Sequence, residues 1–232
     1  MRALMLGVTP AIAAMQWPDR LRLLAVDGSL AMVKGVWPGD LPVARAAICG
    51  EWLSLPLTDK SCDVVTGDGS ANCVPFPEGL RRLAREALRV LRPEGCLFLR
   101  CYVQATPKED ARHLLDALSD GQYRSFHEFK FRFLMSMQES AQRGAAVAEV
   151  YCRWAQSGVD PRHLAAVTGW DASIIQALDA YRDSPTVHVF PTLTEFRSVL
   201  GEYFEELSCS YATYPLAERC PVLALRPAGW TK

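Results

Sequence analysis

Two short apolar runs near the start constrain this chain more than any other feature. Ala3-Leu-Met-Leu6 stops at Gly7, Thr9-Pro10 follows, and the run over residues 21–26 stops at Asp27. Runs that are apolar without alternation suit strands buried on both faces of a parallel sheet. Proline is favoured at the first position of a helix, so Pro10 opens one over residues 10–16 with Thr9 as its N-cap. A glycine ending the first strand lets a backbone approach a ligand closely. An acid ending the second can accept two hydroxyls, so the layout is that of a nucleotide-binding βαβ unit. The loop is sparse, with Gly7 alone where such loops normally carry three glycines.

The same alternation continues. Strands are expected over 45–49, 62–66 and 96–103, a short helix from Ser29 to Val36, and an amphipathic helix over about 77–91. In the last, Leu80, Leu83, Ala84, Ala87, Leu88 and Leu91 recur at helical spacing. From Thr106-Pro107 to Ser184-Pro185 the chain reads as helices over 108–119, 123–142, 146–156, 161–167 and 171–182. Phe129, Phe131 and Phe133 alternate as in a strand, while Phe126, Phe129, Phe133 and Met137 share one helix face; helical flanks decide for helix. Thr192-Leu-Thr-Glu195 is a capping box, and strands over 204–213 and 220–226 are close enough that they must pair antiparallel. The expected fold is α/β: a doubly wound, mostly parallel seven-stranded sheet with a C-terminal antiparallel hairpin and a helical insertion after strand five. Residues 1–106 and 186–232 would form the core. Residues 107–185 would form a substrate cap or, through exposed aromatics, a homodimer surface.

Composition narrows the partners. Twenty-five basic and 26 acidic residues leave a net charge of -1 with no basic run, which argues against nucleic acid. No apolar stretch approaches the roughly 20 residues that span a bilayer, so no membrane partner is expected. The eight cysteines form no C-x-x-C pair and the four histidines no metal-like pair. Reduced thiols in a cytoplasmic protein with no metal are the expectation.

Several segments in order resemble the class I, Rossmann-like S-adenosylmethionine-dependent methyltransferases. Leu6-Gly-Val-Thr-Pro10 is similar to a degenerate form of the family's glycine-rich loop. Cys49-Gly-Glu-Trp-Leu-Ser-Leu-Pro56 is similar to its "G-D-x-x-x-L-P" segment, Ser61-Cys-Asp-Val-Val65 to "F-D-V-V", and Val90-Leu-Arg-Pro-Glu-Gly95 to "L-R-P-G-G". Asp27 stands where the family places the acid that holds the ribose. The chain begins at strand one, without the N-terminal helix many members fold over the cofactor.

The resemblance implies a transferase with S-adenosylmethionine as cofactor, held by Gly7, Thr9, Asp27, Gly28, Glu51, Trp52, Asp68 and Gly69. Asp27 would take both ribose hydroxyls, Glu51 the adenine amine, and Trp52 would stack on the ring. Helix N-terminal amides at Gly7 would face the cofactor's carboxylate. Ligands in such sheets lie beyond the C-terminal strand ends, which selects the loop Gly67-Asp-Gly-Ser-Ala-Asn72. Asp68 could hold the cofactor's amino group or act as base, Ser70 and Asn72 could orient the acceptor, and Arg100 and Tyr102 face it. His127 is the one histidine expected as a base. In-line methyl transfer to a small molecule is the expected function. The rivals are a catalytically silent methyltransferase-like scaffold and, further off, a nicotinamide-dependent oxidoreductase.

Overall fold

The computed structural model describes residues 1–41 and 44–229. Its core strands are β1 (Arg2–Leu6), β2 (Arg22–Asp27), β3 (Arg45–Cys49), β4 (Cys62–Asp68) and β5 (Leu91–Arg100), with α1 (Pro10–Ala13), α2 (Leu30–Gly35) and α3 (Glu78–Val90) between them. The insertion holds α4 (Ala111–Ser119), α5 (Phe126–Met137), the two-residue β6 (Ala145–Ala146), α6 (Val147–Ala155), α7 (Pro161–Thr168) and α8 (Ala172–Gln176). Then come β7 (Val187–His188), α9 (Leu193–Leu200), β8 (Phe204–Ser210) and β9 (Val222–Pro227).

Seven strands form one sheet in the order β3-β2-β1-β4-β5-β9-β8, and β6 and β7 form a separate small ribbon. The first five are parallel; β9 runs antiparallel to both β5 and β8. That is the expected sheet and closing hairpin. The register puts Leu6 beside Val26 and Gly67, and Asp68 beside Arg100, so the segments after β1, β2, β4 and β5 emerge at one end.

The two faces of the sheet differ. On one, α3 and α9 pack Leu80, Leu83, Ala84, Ala87, Phe196 and Val199 onto Leu4, Leu6, Val65, Leu97 and Leu99. Each fully buried leucine there contributes about 1.5–3 kcal/mol. On the other, α1 and its neighbours cover only the β1–β2–β3 side, around Met5, Leu23 and Ala25. Beyond it lies an open trench of about 830 Å³ lined by Ile12, Met15, Trp17, Thr66, Cys96 and Phe98 among others. The helix expected over 10–16 is a single turn, and Thr9 holds the cap position without a side-chain cap bond.

The insertion has its own apolar centre of Phe126, Phe129, Phe133, Val150, Trp154 and Leu178. Phe126, Phe129 and Phe133 are at most 1% exposed, so they pack inward as the core of the insertion. The helix reading of this segment holds, and Ser125 caps it by accepting from Glu128 N.

Buried amides stitch insertion to core. Gln138 bonds both N–H and C=O of Phe190, at 2.6 and 2.8 Å. Gln104 donates to Met135 O at 2.8 Å. The loop after β3 is pinned to α3, where Glu86 accepts from Leu55 N at 2.7 Å and Arg89 donates to the carbonyls of Leu55 and Leu57. Asp63, at the start of β4, pairs with Arg92 and accepts from Arg2 N, away from the C-terminal ends of the strands.

Candidate cofactor and acceptor site

A cleft of about 290 Å³ opens beyond β2 and β3, lined by Asp27, Gly28, Glu51, Trp52, Leu53, Cys73, Val74 and Pro75. Asp27 ends β2 and is 9% exposed; its carboxylate accepts from Val8 N at 3.2 Å and Ser29 N at 2.8 Å. An ionised carboxylate offers about four lone-pair positions. Two remain for hydroxyls in the cleft. The Glu51 carboxylate lies beside Gly28, 3.8 Å from where a Cβ there would stand. Trp52 differs from expectation: its indole N–H donates to Val26 O at 2.6 Å, and the ring lies over Gly7, 3.5 Å from where a Cβ would stand. It forms a wall of the cleft fixed to β2. Gly7 has a φ of 99°, which only glycine adopts readily.

The first loop offers few free donors. Gly7 N bonds Val26 O and Val8 N bonds Asp27, so these amides do not face the cleft as expected.

At the ends of β4 and β5, Asp68 takes two bonds from Arg100, at 2.5 and 2.7 Å. Arg100 also reaches the hydroxyls of Tyr214 at 3.0 Å and Tyr102 at 3.3 Å. Thr9, Gly67, Asp68 and Arg100 line the upper trench. Burial pushes the Tyr102 phenol up, against the pull of Arg100. His127 stands on α5 with its ring 4.7 Å from Phe131, which stacks on Tyr102. Burial first, then the positive Lys130 and Arg100, holds its imidazole below the ordinary value.

Three expected site residues have other tasks. Asn72 is 2% exposed; its side-chain amide donates to Tyr102 O and Val189 O, both at 2.7 Å, and accepts from Tyr102 N at 2.9 Å. That occupies both its N–H donors, so Asn72 is a clamp and orients no acceptor. Ser70 is also 2% exposed, its hydroxyl unpartnered above Gly67 and Leu99, out of reach of an acceptor. Gly69 lies under the Tyr102 ring in a left-handed turn at φ 69°, which is the close approach that requires glycine there.

Sequence reasoning missed Lys130, Tyr214, Cys73 and His188. Cys73 Sγ lies 3.6 Å from His188 Nδ1, and burial with the Asp27 charge pushes its thiol up to about 11. Lys130 was within reach of the helical pattern, since it follows His127 by three positions.

Residues 4–99 match the family model described as "Methyltransferase domain". Over that stretch the chain is similar to methyltransferase domains. No curated protein matches the sequence. Among solved structures, a Pyrococcus horikoshii protein aligns at 15% identity and TM-score 0.56, covering 97% of this chain and 81% of its own. A SAM-dependent methyltransferase from Methanosarcina mazei aligns at 16% and 0.54, covering 97% and 92%. A Rhodobacter sphaeroides protein described as a putative Zn-dependent alcohol dehydrogenase aligns at 12% and 0.58, covering 98% and 84%. These likenesses establish the fold. Among the described residues no group of three His, Cys, Asp or Glu is placed to hold a metal, and no helix is long and apolar enough to cross a membrane.

Class I methyltransferase domains use S-adenosylmethionine, and the residues present fit it. The open lone pairs of Asp27 suit a ribose, and the Glu51 carboxylate in the same cleft suits an adenine amine. Asp68 keeps two lone-pair positions beyond its Arg100 bonds, which suits an ammonium.

Proposed function

We propose that the protein moves the methyl group of S-adenosylmethionine to a small-molecule acceptor held between the ends of β4 and β5 and a cap formed by residues 107–185. The observation that carries this reading is the Asp27 carboxylate, fixed by two amides and half open toward the 290 Å³ cleft. When bound, the cofactor supplies an electrophilic methyl on sulfur. Holding donor and acceptor in line is then the protein's main task. Asp27 binds the ribose and Glu51 the adenine amine. Asp68 binds the amino group, and Arg100 keeps that carboxylate aimed. Trp52 and Gly7 shape the wall between these points. His127, neutral near pH 7 because its imidazole is held low, takes a proton from a hydroxyl acceptor. The cap keeps water from the reacting atoms. A site without a basic groove suits a small acceptor, and free cysteines suit the cytoplasm.

Isothermal titration with S-adenosylhomocysteine tests the reading. The parent protein is expected to bind in the micromolar range, and Glu51→Ala, an exposed position, to weaken binding about tenfold, the loss of one good hydrogen bond. Asp27→Asn keeps the contour and is expected to weaken it more. Absence of binding heat at millimolar ligand, with the circular dichroism of a folded protein, refutes the proposal.

A further inference from the structure

The helix α5 shows two unlike faces. Phe126, Phe129 and Phe133 turn into the cap, whereas His127, Lys130 and Phe131, at i, i+3 and i+4, turn toward the end of β5. Phe131 stacks on Tyr102 with ring centroids 4.6 Å apart and 13° between planes. The Lys130 ammonium lies over Phe131 at 5.7 Å, and the Arg100 guanidinium over Tyr102 at 5.6 Å. A column therefore runs from Lys130 and His127 through two rings to Arg100 and Asp68.

The charges along this column do not balance. Asp68 answers Arg100, and on the outer side of α5 Arg132 is surrounded by Glu109, Glu128 and Glu218. Among the described residues no carboxylate stands within ion-pair distance of Lys130, although its side chain is half buried and burial alone pushes its ammonium down. A half-buried ammonium without a counter-ion is unfavourable, and a ligand that brings an anion relieves it through a charge-assisted bond. His127 senses the same excess, held low by Lys130 and Arg100. This cationic spot sits in a chain of net charge -1, at the strand ends where the acceptor would lie.

We propose that Lys130 receives an anionic group, a carboxylate or a phosphate, carried by the methyl acceptor. The assignment rests on the proposed function and adds the acceptor's chemical class. Lys130 selects acidic acceptors over neutral ones of the same shape.

The test reads His127 as a local voltmeter. Its ring proton is followed by NMR across pH in the full chain, assigned with His127→Gln, with benzoate, phenyl phosphate or benzamide added. An anion bound at Lys130 is expected to move the His127 midpoint upward by about one pH unit. Neutral benzamide leaves it in place. Lys130→Met, which keeps the apolar stem, abolishes the movement; Lys130→Arg retains it. The proposal is overturned if neither anion moves the midpoint, if benzamide moves it equally, or if Lys130→Met responds as the parent does. The titration is run with and without S-adenosylhomocysteine, whose own binding heat reports the proposed function. A chain that binds the homocysteine but not the anions refutes only the acceptor class, and the reverse refutes only the cofactor reading.

Discussion

Replacing Asn72 by alanine should damage the fold and not the chemistry. The side chain makes three hydrogen bonds, to Tyr102 O, Val189 O and Tyr102 N, at a position 2% exposed. A neutral hydrogen bond is worth about 1 kcal/mol net, which gives about 3 kcal/mol for the three. A partner left unsatisfied in the interior costs ~1–3 kcal/mol, so the total rises toward about 5 kcal/mol unless water enters the space left behind. In a chain of 232 residues each kcal/mol moves Tm by about 2–4 °C, so a fall of about 6–20 °C is expected. Ser70→Ala is the internal control. It removes a buried hydroxyl that has no partner, and its Tm should hold or rise slightly. Asn72→Asp adds a sign. The new carboxylate would face two carbonyl oxygens, raising its folded pKa above the unfolded value. Its stability relative to Asn72→Ala should therefore be greatest at low pH and fall as pH rises through the folded pKa. Scanning calorimetry of the variants measures all of this. A drop for Asn72→Ala under about 2 °C, or a larger drop for Ser70→Ala, would refute the clamp.

Cys73, with its thiol pushed up to about 11, should react with iodoacetamide slowly at pH 7.5 and about tenfold faster per pH unit until that value; peptide mass spectrometry reads the rate, and a plateau near pH 9 would contradict it. Asp63 is pushed up by burial but held lower overall by bonds from Arg2 N and Arg92. A depressed folded pKa means its contribution is present above the unfolded value and lost as pH falls through the folded one. Asp63→Asn should thus flatten the acid limb of a urea-stability profile by about 1 kcal/mol, and a profile parallel to the parent's would count against the pairing.

The sheet was legible because the strand signals are one-dimensional. Apolar runs separated by Pro and Gly located the edges of β3, and the short 214–219 connection forced the antiparallel pairing; β5 instead begins at Leu91 and runs through Arg92-Pro-Glu-Gly95, where the sequence suggested a stop before a strand over 96–103. The tasks of single polar residues were less legible. Asn72 sits among turn-forming residues and looks like a turn residue; what makes it a clamp is Val189, 117 positions away. Trp52 reads as a stacking ring until the carbonyl of Val26, which takes its N–H, is in view. The short α1 was also hidden, because Pro10 signals a start and nothing nearby marks where the helix stops. Lys130 is the reverse case. Its helical phase relative to His127 was available in the sequence, but the aromatic residues around it drew the reading toward packing.

The half-covered sheet places two different demands on a single strand. Along β5, Leu97 and Leu99 are each 1% exposed, and Phe98 between them is 37% exposed toward the trench. Neighbouring codons therefore face unlike selection: a polar change at 97 or 99 strikes the shared core, whereas one at 98 meets solvent. The same two-residue rhythm carries into β9, where Leu223 and Leu225 are buried and Val222 and Ala224 are partly open. Along β5 and β9 one face maintains the shared core, and the other, beyond the patch that α1 covers, tolerates polar change at positions such as 98.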